Sequence, residues 1–540
     1  MQPGGPTIAQ PSSLHWFGTP ATRRLHSVDR AGYCCGMSAR LVALALALGL
    51  APCANEPSPN TVWAQPTGTM PEPPLGQGPS IDAPTTDTVT PAAPPIDPKY
   101  VDVARKLTAM AEDDTRAWDR LAYVADVFGH RLSGSKALEQ TIDWAVETMR
   151  ADGLANARRE KVMVPHWVRG EEWAKIHGKV ERKLPVLTLG MSVGTGRKPI
   201  RAQVVVVESL DAIDRLGEQV KGKIVVINQP MPDYDHETHD TGYGTTVPIR
   251  SSGASRAAKY GAKAVLVRSV TATSLRSLHT GSLNYEEGVA KIPAAAITAE
   301  DAEWFVRMAA RGEAVEVELF LGAKQLPDAE SGNAIAELTG RELPDEIVVI
   351  GGHIDSWDVG DGSSDDGSGC LMAMEAALML KELNLIPRRT IRVVLFTNEE
   401  NGLRGGKAYF EAHQHEKHVA ALEADVGSGA PWGFGVGNDQ ADVDALLPFM
   451  PLFEELGANN LRVGGGGADI SPLTKTGVLG IGLHPDISTY FDLHHSEADT
   501  IDKIPPYHLE RNAAAIALLA YILAEREVPE RAPQSEGGVD

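Results

Sequence analysis

Gly351-Gly352-His353-Ile354-Asp355 is followed, twelve residues past its histidine, by the pair Asp365-Asp366. Imidazole nitrogen and carboxylate oxygen are the ordinary protein ligands of zinc, so a histidine with carboxylates spaced beyond it is what a divalent cation needs. Further acids and histidines come in Asn398-Glu399-Glu400, Glu423-Ala424-Asp425 and His494-His495. Adjacent carboxylates repel one another unless a cation or solvent neutralises them, and such pairs occur at both Asp365-Asp366 and Glu399-Glu400. The set holds enough ligands for a two-metal hydrolytic site, in which two ions share a water, lower its pKa and polarise the bond under attack.

Residues this far apart form one site only if the fold gathers them. Ile347-Val348-Val349-Ile350 and the run from Ile391 to Phe396, its Arg392 apart, are apolar without alternation, and Val419 to Glu423 is a weaker third. Such runs predict strands buried on both faces of a mostly parallel, mixed sheet with helices on both sides, an α/β fold. Helices are expected at 368–383, where Leu371, Met374 and Leu378 recur at helical spacing, and at 508–525. Each apolar run ends where a candidate ligand begins: His353, then Glu399-Glu400, then Asp425. Open α/β sheets form their sites at the carboxyl ends of strands, so the three clusters are predicted to share one crevice.

The rest of the chain carries less chemistry. Val103, Leu107 and Met110, then Trp118, Leu121, Val124 and Phe128, mark amphipathic helices between 98 and 154. From about 185 to 325 short apolar strands at 202–207, 224–227 and 263–267 alternate with Gly-rich turns and one helix at 252–260, which predicts a separate β-rich module. Gly, Ser and Thr crowd 241–257, a segment that reads as a solvated loop, with a loop over a neighbouring site as the alternative. His413, His415 and His418 lie among Gln and Lys and read as a solvated helix end. Gly464 to Gly467 lacks the Lys and Ser that follow in a phosphate cradle, and reads as a flexible turn presenting Asp469.

A chain of 540 residues, 43% hydrophobic, suffices for about two to four domains. Its net charge of -22 opposes binding to polyanions, so neither nucleic acid nor an anionic membrane surface is an expected partner. Of the four cysteines, at 34, 35, 53 and 370, only Cys370 lies in the body, so no disulfide framework is expected. Cys370 has no base paired with it and reads as a small buried core residue. From Met37, one arginine and a run of Leu, Ala and Val too short to span a bilayer precede small and polar residues, the build of a secretory signal cleaved after Ala64. This predicts an upstream extension and signal over 1–64, a disordered Pro-rich linker over 65–97, and an exported, periplasmic or secreted protein without a membrane span. A lipid anchor on Cys53 is the weaker reading, because Pro52 stands directly before it.

Taken together, GGHIDSWDVGDGSSDDGSG, FTNEENGLRGG, EAD, GGADIS and YFDLHHSEADT resemble the motif set of the M28 metallopeptidases, a resemblance that covers about 98 to 526. It implies a zinc-dependent exopeptidase α/β domain (98–184 and 326–527) interrupted by a smaller protease-associated-like domain (185–325), with 528–540 as a tail. It implies two zinc ions per chain, with His353, Glu400, Asp425 and His495 as ligands, Asp365 bridging both, and Glu399 as general base. Asp355 would hydrogen-bond the free nitrogen of His353 and fix its tautomer. Choosing His495 over its neighbour His494 rests on the motif alone. Where the family often has Glu-Ser-Asp this chain has Glu423-Ala424-Asp425, which loses a hydroxyl and keeps the ligand.

The activity so implied is hydrolysis of short peptides, above all dipeptides with free termini, by a dipeptidase or carboxypeptidase. An aminopeptidase is the alternative. A non-catalytic binding protein on the same fold would be expected to lack a ligand or the base, and a single-zinc cyclase would not need the full set. A homodimer is compatible with the resemblance; the residues themselves leave the oligomeric state open.

Overall fold

The strand Leu343–His353 occupies the middle of a sheet because its apolar run has no polar side to show water: Ile347 to Ile350 are buried on both faces. This computed structural model describes residues 96–527; the expected signal segment, Cys53, nearly all of the linker and the tail lie outside the described residues. The sheet has eight strands in the order Ala155–Val168, Lys324–Leu338, Arg389–Phe396, Leu343–His353, Lys417–Glu423, Leu479–Pro485, Pro431–Val436 and Asn460–Val463. The four from Arg389–Phe396 to Leu479–Pro485 run parallel, and the pairings that flank them are antiparallel. In this register His353 lies opposite Phe396 and Gly351 opposite Glu423, so the chain leaves all three central strands along one edge.

Helices cover both faces. On one, Pro98–Asp113, Ser368–Glu382 and Pro506–Glu525 pack over the strands; from Ala513 to Ala524 the last is apolar all round, and Ala513 to Ala520 are wholly buried. A helix hydrophobic on every side belongs inside a protein, and each Leu or Ile it buries is worth about 1.5–3 kcal/mol. On the other face Tyr409, Ile470 and Leu473 cover Ile347, Val349 and Val394. Cys370 is buried in the first of these layers, as expected. Among the described residues no helix is long and apolar enough to cross a membrane.

A second eight-stranded sheet is built between Glu172 and Leu321. Its parallel core is Ile200–Val207, Ile224–Ile227, Ala264–Arg268 and Ala294–Ile297. Helices Leu210–Leu216 and Pro248–Ala258 lie on one face and Ala299–Ala310 on the other, so this layer is itself α/β rather than chiefly β. Its strands also begin before residue 185. Glu172–His177 pairs along its whole length with Glu316–Leu321, and Arg182–Leu184 pairs with it in turn. The long antiparallel ribbon of Ala155–Val168 and Lys324–Leu338 carries the chain out to this layer and back.

Candidate metal centre

Three of the five expected ligands sit where a strand gives way to a turn. His353 is the last residue of its strand, Glu399-Glu400 follow Arg389–Phe396, and Asp425 follows Lys417–Glu423. Asp365 and Asp366 lie in the turn that opens helix Ser368–Glu382, and the peptide between them is cis. His494-His495 follow the short helix Tyr490–Leu493, with His495 in the left-handed region at φ 60°.

The side chains converge on Asp365. His353 Nε2 lies 3.2 Å from Asp365 Oδ1 and 3.1 Å from Asp425 Oδ1. On the other oxygen, His495 Nε2 lies 3.2 Å from Asp365 Oδ2 and 3.1 Å from Glu400 Oε2. One carboxylate thus faces two groups, each a histidine with a further acid. His494 is stacked on His495 with ring centroids 3.5 Å apart, but its Nε2 stays 3.7 Å from Asp365 and its Nδ1 has no hydrogen-bond partner among the described residues. It is the nearest rival for the second group, since one ligand atom each from Asp365, His494 and His495 lies within 4.8 Å of the others.

The neighbouring acids hold backbone. Asp366 accepts the N–H groups of His353 and Gly369, both at 2.9 Å, and a Cβ on Gly352 would stand 2.2 Å from its Oδ2. Asp499 accepts the N–H of Ser364 at 2.6 Å and of Asp365 at 3.1 Å. Asp355 meets His353 Nδ1 with its backbone carbonyl, at 3.0 Å, while its carboxylate is 3.7 Å away and accepts the N–H of Glu399 at 3.0 Å. Glu423 accepts the N–H of Ile470 at 3.0 Å, and Asp469, in the turn after Gly464–Gly467 but buried there, accepts that of Gly406 at 3.0 Å. The acidic motifs therefore brace one another.

Burial alone would depress the His353 imidazole, yet the Asp425 and Asp365 carboxylates hold it well above its ordinary range. Asp365, which burial would raise, is held well below by His353 and His495. Burial, with the Asp365 charge added, pushes Glu400 well above the usual carboxylate range, and burial raises Asp425 and Asp366 too. Glu399 is pushed up to about 8, first by burial and then by Asp425 and its other acidic neighbours. More acids crowd this place than the histidines can neutralise. Buried Glu400 Oε1 has no hydrogen-bond partner among the described residues, which is costly unless a cation meets it. The donor set of imidazole and carboxylate fits zinc.

The centre opens into a cavity of about 940 Å³ between the two layers, with Glu399 in its wall. The carboxylate of Glu399 makes no hydrogen bond among the described residues. The segment 241–257 lines this cavity, as helices Tyr243–Thr246 and Pro248–Ala258 rather than as a solvated loop. It contributes Arg250, whose Nη2 donates to the Tyr243 hydroxyl at 2.6 Å and whose Nη1 stands 3.3 Å from His495 Nδ1. Arg250 and Asp499 escaped the sequence reading; Asp499 belongs to the same motif as His495, whereas nothing in its spacing links Arg250 to the site. The solvated helix end expected at 413–418 holds for exposed His415 but not for its two neighbouring histidines. His413 is buried against Glu160 at 2.9 Å and His418 meets the Tyr409 hydroxyl at 2.9 Å, because the strand Ala155–Val168 covers that helix end.

Residues 333–520 match the model of peptidase family M28. Bovine (Bos taurus) carboxypeptidase Q is 41% identical over 434 residues, 79% of this chain and 90% of that protein. The crystal structure of a peptidase M28 precursor from Shewanella amazonensis superposes with a TM-score of 0.77 at 35% identity, covering 81% of this chain and all of that one. A zinc aminopeptidase from Bacillus subtilis shares the fold at 20% identity, with a TM-score of 0.57 over 77% of this chain and 96% of its own.

Proposed function

The chain belongs to peptidase family M28, and from that membership we propose that it is an exopeptidase for short peptides, dipeptides with free termini foremost, working with two zinc ions. His353, Asp425 and one oxygen of Asp365 would hold one ion; His495, Glu400 and the other oxygen of Asp365 would hold the second. The ions supply acidification of water and polarisation of the scissile carbonyl. Glu399 would take the proton of the attacking water and return it to the departing amine, a task for which its carboxylate is placed, in the cavity wall and with no hydrogen bond among the described residues. The observation that carries this reading is the Asp365 carboxylate, with one oxygen toward each histidine–acid group.

The cavity supports a short substrate. The inserted layer roofs it and brings Arg250 and Lys291 to its wall, cations suited to a free carboxylate. Asp328 lines the same cavity and suits a free ammonium, which favours the aminopeptidase reading as the second. The signal-like segment 37–64 supports action outside the cytoplasm. Zinc per chain, measured together with hydrolysis of free and end-blocked dipeptides, tests the proposal. Two zincs with turnover of free dipeptides only is the expected result; cleavage of carboxyl-blocked but not amino-blocked substrates would select the aminopeptidase, and inert, zinc-free protein would overturn both.

A further inference from the structure

The inserted layer reaches the metal centre through residues 279–283, an extended segment caught between the two parts of the molecule. On its own side, Gly190 donates to the Gly281 carbonyl at 2.9 Å, Leu283 donates to Gly190 at 3.1 Å, and the Thr280 hydroxyl donates to the Thr188 carbonyl at 2.9 Å. On the other side, the Thr280 N–H donates to the His495 carbonyl at 2.9 Å, and His279 Nδ1 lies 2.7 Å from the His494 carbonyl oxygen. His279 and Ser496 form an isolated antiparallel bridge.

Those two carbonyls belong to the peptide planes on either side of the His495 Cα. Fixing both planes fixes φ and ψ of His495, which stands at φ 60°, a conformation that side chains other than glycine seldom adopt. From there its Nε2 comes within 3.2 Å of Asp365 and 3.1 Å of Glu400. His279 is itself locked. It is 1% exposed, its N–H donates to Ser269 Oγ at 3.0 Å, and its Nε2 stands 3.0 Å from Ser277 Oγ. A ring with the proton on Nδ1 satisfies every contact: Nδ1–H donates to the carbonyl and Nε2 accepts from the serine. Burial keeps that ring neutral, pushing its pKa down to about 4.

We propose that His279 is a positioning residue for His495: its Nδ1–H, with the Thr280 N–H, holds the left-handed backbone from which His495 reaches Asp365 and Glu400. The inference rests on the reading of His495 as a metal ligand. It makes the inserted layer part of the metal site's support, and by reciprocity a bound ion at His495 would tighten the docking of that layer.

The test uses the zinc-loaded enzyme as wild type, His279→Ala, His279→Asn, His279→Gln and His495→Ala, each dialysed against a graded chelator with zinc per chain as the readout. His279→Ala should release one zinc per chain, that of the His495 group, at about 10- to 100-fold lower chelator, the usual effect of losing a group that orients a ligand. His279→Asn, whose amide N–H stands near the place of Nδ1–H, should hold zinc nearly as wild type, and His279→Gln, one bond longer, should not. A role in packing alone would shift Asn and Gln equally, and that result, or a wild-type profile for both Ala and Gln, overturns the proposal. The Asn and Gln pair decides the matter if His279→Ala fails to fold. Full zinc in His495→Ala would instead bring down the ligand reading, and this inference with it.

Discussion

The carboxylate of Asp355 accepts the backbone N–H of Glu399 at 3.0 Å. The same residue's carbonyl sits 3.0 Å from His353 Nδ1, so Asp355 joins a proposed metal ligand to the proposed base through two different atoms. Its carbonyl turns His353 Nε2 toward Asp365 and Asp425, and its side chain sets where Glu399 leaves the sheet. Asp355→Ala removes only the second link. We expect kcat on a free dipeptide to fall about 10- to 100-fold with zinc per chain unchanged, and Asp355→Asn, which keeps an oxygen acceptor, to recover most of it. Zinc loss in the alanine variant would show that the carboxylate serves the metal directly.

Glu399→Gln keeps the size and shape of the side chain and removes its basicity. Because Glu399 is not among the atoms that face Asp365 at ligand distance, zinc should stay, while turnover drops about 100- to 10,000-fold. Single-turnover rates and zinc content measured on one preparation separate the two effects. A variant that still cleaves at near wild-type rate would return the search for the base to Asp425 and its neighbours.

His494 and His495 are distinguished by reach. His495 Nε2 touches two acids at 3.1–3.2 Å and His494 Nε2 only one, at 3.7 Å. His495→Ala should therefore lose about one of two zincs, and His494→Ala should keep both. Asp365→Asn should weaken both sites together, since each loses the charge of a shared ligand. The reverse order for the histidines, read by metal analysis of dialysed protein, would exchange their roles.

Much of this candidate site was legible because the period of the sequence and the chemistry coincide: unbroken apolar runs mark buried parallel strands, and His353, Glu399, Glu400 and Asp425 follow at their carboxyl ends. What the pattern could not carry was contact at long separation. Arg250 and His495 meet across 245 positions, and His279 and the His494 carbonyl across 215, with no spacing to announce either. The backbone role of Asp355 was hidden for another reason, since a residue type does not say whether its carbonyl or its carboxylate faces a neighbour. The early start of the inserted sheet has a similar cause. Glu172–His177 mixes polar and apolar residues without a clean period, and only its pairing with Glu316–Leu321 assigns it to the second layer.

Stripping the metal should change how stability responds to pH. Without a cation, burial first and neighbouring charge second push Glu399 and Asp499 up to about 8 and Glu423 up to about 7. In the unfolded chain such groups titrate near ~4, so the folded chain binds extra protons between ~4 and ~8. A raised carboxyl pKa favours the fold fully below the unfolded value, and that contribution is lost as pH rises through the folded value. Asp365, held low, acts in the other direction but only below ~4, outside this window. Buried His279 and His418, pushed down to about 4, and His484, pushed down to about 3, also act in the other direction up to ~6.5, so the chelator-treated protein should melt at progressively lower temperature from about pH 7 to about pH 8. A metal ion takes the place of those protons and binds better as they leave, so the loaded protein should show a flatter profile, and the gap between the two melting temperatures should widen with pH. Thermal melts with and without chelator across that range measure the gap; a constant separation would mean that these carboxyls do not share the site of the metal.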